Sequence, residues 1–567
     1  MRKLLLSTII ITVAAAFIAR LAYLQLIDNT NKNPLEDTAI KAVYDYPGRG
    51  YIFDRNGELL VSNQPSYDVM VIPKDVKPFD TLELCKLLSI KKEDLLEILD
   101  KAKTYSPRLP SVVIPQLTKA DYAALEEKMR KYDGFYIQKR TLRSYSTAHA
   151  ANILGYISEV NDNDLKNNPY YQSGEIIGRQ GVERQYEEYL RGRKGVKFIQ
   201  KDRFNRDLGP YKNGMFDTLA VQGQDIQLTI DNALQAYGEQ LMINKRGGIV
   251  AIEPKTGEIL ALVSAPSYDP ALLVGRQRSK NYTQLYYDSI AKPLYDRGLL
   301  AEYPPGSPFK IVNALIGLEE GVIDLETSFS CGGGYRYGGR ILRCHCGRGS
   351  NKLDTGIPKS CNAYFCNTYR RIIEKYPTAS LGMDAWERHV KSFGFGDFLG
   401  SDLPAGRPGK IPNTKLYDRV YGEGRWGATY NISNAIGQGE IVSTPIQLAN
   451  MVAIVANRGY YYTPHVVKKI DGKPIIFEEF TKPKYTTVSK EHFEPVVKGM
   501  WDAFTIGTAR GVKIDSINIG GKTGTAENFT KIDGKRFQLT DHSIFVAFAP
   551  VEDPKIAIAV FVENGYY

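Results

Sequence analysis

Two apolar stretches, each broken once by a turn signal, bracket the second half of this chain: GGIVAIEPKTGEILALVSAP (residues 247–266) and HSIFVAFAPVEDPKIAIAVFVE (residues 542–563). Each reads as a β-hairpin. The first turns at Pro254-Lys255-Thr256-Gly257 and the second at Glu552-Asp553-Pro554. Helical patterns lie between them, for example over Pro445–Ala456. Strands at both ends with helices between predict one α+β domain, its terminal hairpins sharing an antiparallel sheet.

At 567 residues the chain exceeds one hydrophobic core, so two or more domains are expected. It opens with MRKLLLSTIIITVAAAFIARLAYLQLID, where Arg2 and Lys3 precede an apolar run. As a helix, Leu4 to Ile27 would extend about 36 Å, enough to cross a bilayer. The leading charges predict a single-pass anchor in the inner (plasma) membrane, with a short cytoplasmic stub and the bulk of the chain outside. A cleaved signal peptide is the alternative, since AAAFIARLA offers small residues for cleavage. The net charge of +10 suits anionic partners or simply a soluble surface. Without a long basic run or a recognisable motif, no nucleic-acid partner is expected.

The stretch after the anchor has mixed short elements and no catalytic constellation. Asp54-Arg55-Asn56-Gly57 predicts a tight turn. Helical patterns cover Thr81–Lys103 and Lys119–Tyr132, and a short helix sits between Gly178 and Gly195, followed by the β run KFIQ. The texture changes near Leu228, where a helix begins with Thr229 or Asp231 as cap. The predicted division is therefore 1–27 (stub and anchor), 28–227 (a spacer or docking module) and 228–567 (the catalytic domain).

YPPGSPFKIVNALIGLEEG places Ser307 and Lys310 three residues apart at a helix start, with Pro308 in the first turn where proline is tolerated. A serine hydroxyl needs a base, and a desolvated lysine can be that base. Ser-x-x-Lys alone is weak, since an N-cap serine beside a solvated lysine gives the same pattern. Here Ser360-Cys361-Asn362 and Lys522-Thr523-Gly524-Thr525 follow in order. Together the three motifs are those of serine acyl-transferases that react with penicillin. Ser360 can relay a proton. Asn362 can hydrogen-bond a substrate peptide. Lys522, on an edge strand, can hold a carboxylate and polarise Ser360. Gly524 lets backbone approach closely, and the N–H groups of Ser307 and Thr525 can form an oxyanion hole.

With these motifs the chain resembles a class B penicillin-binding protein, the monofunctional peptidoglycan D,D-transpeptidase type. It is more similar to the elongation branch (penicillin-binding protein 2) than to the division branch. RGYIFDRNGELL, STAHAANILGYI and GRQGVERQYEEYLRG look like the family's N-terminal module; IGQGEIVSTPIQLA and DHSIFVAFAP look like its catalytic domain. The resemblance implies an elongated pedestal or dimerisation module, then a penicillin-binding/serine β-lactamase-like domain with a five-stranded antiparallel sheet flanked by helices. It implies cross-linking of peptidoglycan stem peptides through a Ser307 acyl-enzyme, capture by β-lactams, no cofactor for catalysis, and a SEDS-family glycosyltransferase partner in the membrane. Two departures stand out. Threonine is common in the family where Pro308 stands, and the sequence stops at VFVENGYY, where relatives continue into a C-terminal helix, so a missing helix is expected. Rival readings are a division-type relative, a serine β-lactamase and a β-lactam sensor. The second lacks an assignable base for deacylation, and the third normally has several membrane spans.

Five of the six cysteines fall between Cys331 and Cys366, and RILRCHCGRGSNK puts Cys344, His345 and Cys346 side by side. Three readings fit. A structural zinc held by Cys331, Cys344, Cys346 and Cys361, with His345 as a substitute ligand, would pin the back of the site. Disulfides Cys331–Cys344 and Cys346–Cys361 suit an oxidising exterior. Free thiols are the third. Some elongation-type relatives carry Asp, His and Cys side chains in this region, and that resemblance points towards the metal. Cys366 and Cys85 read as core, and His149, His465 and His542 as structural.

Overall fold

The computed structural model describes residues 2–22, 40–117, 119–201, 207–533 and 535–565. The chain forms two compact units, Met1–Arg49 with Arg191–Gly223, and Gly50–Leu190 with Gln224–Tyr567. The first unit contains the helix Arg2–Ala22 and a three-stranded antiparallel sheet of Ile40–Asp45, Gly195–Lys201 and Asp207–Pro210. Residues 23–27 of the expected anchor lie outside the described residues. Among the described residues no helix is long and apolar enough to cross a membrane.

In the second unit the turn predicted at Asp54–Gly57 joins Ile52–Phe53 to Leu59–Val71. Asp54 Oδ1 accepts the backbone N–H groups of Asn56 and Glu58, both at 2.8 Å, and Gly57 takes a φ of +88°. The strand Ile226–Leu228 runs parallel to Ile52–Phe53 and antiparallel to Val467–Ile470. One sheet thus carries strands from both sides of residue 228. The pattern expected to be one helix over Thr81–Lys103 is two, Thr81–Leu88 and Lys92–Tyr105. Ser89 ends the first by adopting left-handed φ (+54°) while its N–H reaches the carbonyls of Cys85 and Lys86.

The catalytic sheet has five strands: β1 (Gly247–Ile252), β2 (Ile259–Ala265), β3 (Gly520–Ala526), β4 (His542–Ala549) and β5 (Ile556–Val562). Their order is β2-β1-β5-β4-β3, all antiparallel. The two predicted hairpins meet through β1 and β5, from Gly247 opposite Val562 to Ile252 opposite Ala557. β1 and β2 are apolar or small throughout and buried on both faces. In β5, Ala557, Ala559 and Phe561 point to the core while Ile556, Ile558, Val560 and Val562 are half-buried.

Four helices frame the site: α1 (Lys310–Glu319), α2 (Asn362–Glu374), α3 (Pro445–Ala456) and α4 (Phe493–Thr505). Every residue of α3 is buried, including Gln447 and Asn450, whose amides donate to the backbone carbonyls of Gly394, Asp397 and Pro408 and of Phe393 respectively. It packs on β5, and α4 packs on β3. The helix Asn232–Leu241 is capped by Asp231, which accepts the Leu234 N–H at 3.0 Å, and not by Thr229. The Thr229 hydroxyl instead donates to the Ile259 carbonyl at 2.7 Å.

Candidate active site

Ser307 opens one 3-10 turn, Ser307–Phe309, that runs directly into α1. Pro308 sits inside this turn, and its ring lies against β3: a methyl on Gly524 would come within 2.4 Å of Pro308 Cδ. Gly306 has φ +60°, and a methyl there would lie 2.8 Å from the Thr525 carbonyl oxygen. Both glycines are therefore required for the serine turn to touch the Lys-Thr-Gly strand. β3 is an edge strand, paired with β4 alone among the described residues.

The three motifs converge. Lys310 Nζ donates to the Ser360 carbonyl at 2.9 Å, to Ser360 Oγ at 3.0 Å and to Asn362 Oδ1. Ser360 Oγ in turn lies 3.2 Å from Ser307 Oγ. Ser360, not Lys310, is the hydrogen-bonded neighbour of Ser307 among the described contacts. Ser360 holds this place with a left-handed φ of +55°, an uncommon conformation for a residue with a side chain. Burial pushes Lys310 down to about 8 against the weaker upward pull of the nearby cysteine thiols. Lys522 is fully buried, and burial first, then repulsion from Lys310, holds it well below the usual lysine value.

Two expected contacts differ. Lys522 Nζ donates to the carbonyl of its own neighbour Thr523 at 2.8 Å and not to Ser360. Both polar ends of Asn362 are engaged by protein, because its Nδ2 donates to the Arg343 carbonyl at 2.6 Å. Each end keeps a further hydrogen or lone pair for a ligand. Thr523 Oγ1 donates to Thr508 Oγ1 at 2.7 Å, and Thr525 is exposed along β3.

The clamp behind the serine turn is a feature that sequence reasoning missed. The Gly306 N–H donates to the Gly437 carbonyl at 2.8 Å. Gly437 has φ +68°, and a methyl there would sit 2.4 Å from the Gly306 carbonyl oxygen. On α1, Asn313 Nδ2 donates to the carbonyls of Asn434 and Ala435, both at 3.1 Å, and Trp386 Nε1 donates to Asn313 Oδ1 at 2.8 Å. The glycines of IGQGE were the available signal, but their partner could not be named without the fold.

Behind Asn362, the sulfurs of Cys331, Cys344, Cys346 and Cys361 all lie within 4.8 Å of one another. No disulfide is formed: all six cysteines are free, and Cys346 and Cys331 Sγ are 3.6 Å apart, far beyond the ~2.05 Å of a disulfide bond. His345, expected as a substitute ligand, is exposed and outside the cluster. The strand Arg340–Arg343 ends just before these residues, and the bend that follows buries Cys344 and Cys346 partly while leaving His345 in solvent. Two N–H groups aim at sulfur, Ala363 N at Cys344 Sγ (3.1 Å) and Asn351 Nδ2 at Cys361 Sγ (3.6 Å). A hydrogen bond with Cys361 and then burial push the Cys344 thiol up, and burial pushes Cys346 up to about 11. Cys366 and Cys85 are buried. His149 faces Glu239 at 3.4 Å, His465 Nδ1 faces the Thr463 carbonyl at 3.0 Å, and His542 Nδ1 accepts the Asn564 N–H at 3.1 Å.

A serine turn beside a buried lysine, a Ser-x-Asn turn and a Lys-Thr-Gly edge strand define the penicillin-reactive serine acyl-transferases. The penicillin binding protein transpeptidase domain matches residues 247–567, and the penicillin-binding protein dimerisation domain matches residues 44–228. The peptidoglycan D,D-transpeptidase MrdA of Acinetobacter baumannii is 34% identical over 567 residues, covering 96% of this chain and 82% of that protein. The Helicobacter pylori penicillin-binding protein PBP2, solved in complex with MreC, aligns with a TM-score of 0.76 at 26% identity, covering 93% of this chain and 96% of that one. A chain from a peptidoglycan synthase complex that coordinates polymerisation and crosslinking aligns at 0.70 and 26% identity, covering 100% of this chain and 95% of that one. The chain belongs to the class B penicillin-binding proteins, in the elongation-type PBP2 branch.

Proposed function

We propose that the protein is a peptidoglycan D,D-transpeptidase that cross-links stem peptides during wall elongation. The observation that carries this is the chain of contacts Ser307–Ser360–Lys310–Asn362 beside the buried Lys522. Lys310, near neutrality at about pH 8, draws the Ser307 proton through Ser360. Ser307 Oγ attacks the carbonyl of the penultimate D-Ala. The tetrahedral oxyanion is held by the N–H groups of Ser307 and Thr525. The bond to the terminal D-Ala breaks, the leaving amine takes the proton back from Lys310 through Ser360, and an acyl-enzyme remains. The amine of a second stem then attacks this ester; its proton passes through Lys310 and Ser360 to Ser307 Oγ as the ester bond breaks, which restores Ser307 and leaves the new amide as the cross-link. Lys522 meets the substrate carboxylate, Asn362 meets the peptide, and the peptide lies along the open edge of β3 over Thr523, Gly524 and Thr525.

Intact-protein mass spectrometry after incubation with benzylpenicillin, beside Ser307→Ala, tests the reading. A lasting adduct of the drug's mass, absent in the variant, is expected. Drug consumption without a lasting adduct would make the protein a hydrolase. Neither adduct nor consumption would make it an inactive scaffold.

The four-cysteine cluster fits a structural zinc. A tetrahedron with Zn–S bonds of about 2.3 Å has edges of roughly 3.8 Å, compatible with the 3.6 Å between the Cys331 and Cys346 sulfurs and with all four lying within 4.8 Å of one another. The two N–H···S contacts are of the kind that steady thiolate ligands. Bound there, the ion would brace Cys361 within the Ser360–Asn362 turn and Cys344 beside the Arg343 carbonyl that holds Asn362. It would take no part in the acyl transfer.

Residues 1–27 are read as a stub and single membrane anchor of the plasma membrane, supported by Arg2 and Lys3 ahead of the apolar run. On this reading 28–227 is the pedestal and 228–567 the catalytic domain outside the cytoplasm. A SEDS-family glycosyltransferase in the same membrane is the proposed partner, supported by the likeness to the synthase complex.

A further inference from the structure

Every donor in the cluster of Cys331, Cys344, Cys346 and Cys361 is a thiol, and a thiol, unlike an imidazole or a carboxylate, can be oxidised reversibly. The four are not held alike. Cys344 Sγ accepts the Ala363 N–H at 3.1 Å, and Cys361 Sγ accepts Asn351 Nδ2 at 3.6 Å. Cys361 is also the residue from which α2 starts. Among the described residues no N–H contact holds the sulfur of Cys331 or Cys346. These two sulfurs lie 3.6 Å apart, Cys346 half-buried and Cys331 buried.

The backbone beside this pair has room to move. Cys331 is followed by Gly332 and Gly333, and Cys346 by Gly347. Gly333 and Gly347 take φ of +98° and +81°, and a methyl on either would meet nothing within 4 Å. Both turns can therefore absorb a shift of about 1.5 Å, the difference between the 3.6 Å contact and the ~2.05 Å of a disulfide bond. The same turns lead to the catalytic residues. The Cys344 N–H donates to the Gly333 carbonyl at 3.0 Å, so each cysteine of the pair stands two residues from one end of that bond. The carbonyl of Arg343, just before Cys344, holds Asn362 at 2.6 Å. Asn362 Oδ1 accepts from Lys310, which reaches Ser307 through Ser360.

We propose that Cys331 and Cys346 form an oxidation site through which a hydroperoxide slows the acylation of Ser307. The Cys346 sulfur attacks one peroxide oxygen. An S–O bond forms, the O–O bond breaks, and the departing oxygen leaves with the Cys346 proton as an alcohol, or as water from hydrogen peroxide. The Cys331 sulfur then attacks the Cys346 sulfur. The S–S bond forms, the S–O bond breaks, and the hydroxyl leaves with the Cys331 proton as water. The two sulfurs lose two electrons and the peroxide gains them. The new bond takes away two of the four donors that a zinc ion would use. It also drags Gly333 and Cys344, and with them the Arg343 carbonyl, away from Asn362. A dithiol reverses the change. The cysteine chemistry stands apart from the transpeptidase reading, and its effect on Ser307 rests on that reading.

Full-length protein, reduced and supplied with zinc, is treated with hydrogen peroxide and quenched with catalase. Intact mass, disulfide-linked peptides, zinc released to a chromogenic chelator and the rate of acylation by a fluorescent penicillin are read in parallel. The expected result is a mass lower by two hydrogens, a peptide linking Cys331 to Cys346, released zinc, and acylation roughly tenfold slower, in keeping with a displacement of about 1 Å near the reacting groups. Dithiothreitol and zinc together should restore the rate, and Cys85→Ser should respond as the wild type does. In Cys331→Ser, which cannot close the bond, a sulfenic-acid probe should label Cys346. A peptide linking Cys331 to Cys344, or Cys346 to Cys361, would overturn the assignment. So would an unchanged acylation rate in the oxidised protein, or a loss that dithiothreitol and zinc do not reverse. Failure of the transpeptidase reading is seen separately, as the absence of a penicillin adduct on the reduced protein, where the mass and peptide readouts still decide the cysteine pairing.

Discussion

Replacing Gly437 by alanine tests whether the clamp behind the serine turn sets catalytic geometry. The new methyl would lie 2.4 Å from the Gly306 carbonyl oxygen and 2.6 Å from Phe309 Cβ. Side-chain carbons essentially never approach closer than 3.0 Å, so the Gly306–Phe309 turn must move by about 0.6 Å or more. Ser307 rides on that turn, between Gly306 and Phe309. A misplacement of 1 Å can cost about a hundredfold in rate, so a loss of roughly ten- to a hundredfold is expected. The positive φ adds strain of about 1–3 kcal/mol, read as a melting point lower by a few degrees. Gly439→Ala is the control. Its φ of +81° gives similar strain, but the new methyl comes no closer to any neighbour than 3.1 Å, to Ser433 Cβ. The assay is stopped-flow acylation by a fluorescent penicillin, with melting followed by circular dichroism. Equal acylation rates for the two variants, with comparable melting points, would show that the Gly437 contact does not position Ser307.

Three further outcomes follow from the same geometry. Ser360→Ala should slow acylation by roughly 10²–10⁴-fold, because it removes the hydroxyl between Lys310 and Ser307; a loss below tenfold would mean that Lys310 reaches Ser307 unaided. Elemental analysis should find one zinc per chain, and Cys346→Ser should lower both zinc content and melting temperature; metal-free protein with two disulfides, seen by mass, would end the zinc reading. Trp386→Phe leaves the buried Asn313 Oδ1 without its 2.8 Å donor and should cost about 1–3 kcal/mol in urea unfolding; an unchanged midpoint would show that the Asn313 link is dispensable to the fold.

Much of the catalytic unit was legible because its signals are local. The two hairpins announce themselves by apolar runs around turn residues, and their strands lie where the runs do. Ser307 and Lys310 are one helical turn apart, so their nearness follows from helix geometry alone. The cysteines were legible as a group by residue type, but spacing alone brings only Cys344 and Cys346 together; that Cys331 and Cys361 join them is the fold's doing.

What the tertiary structure alone decided depends on contacts between residues far apart in the chain. That Ser360 stands between Lys310 and Ser307 comes from the packing of α2 against α1, fifty residues apart. That His345 points away while its two neighbours join the cluster depends on which face of the loop is buried. The break at Ser89 needed a left-handed residue that helix periodicity does not foresee. Residue type and spacing along the chain determined which chemistry this protein carries. Backbone carbonyls such as those of Gly437 and Arg343, which have no sequence signature, decide how that chemistry is held in place, because any residue type supplies one and only the fold selects its partner.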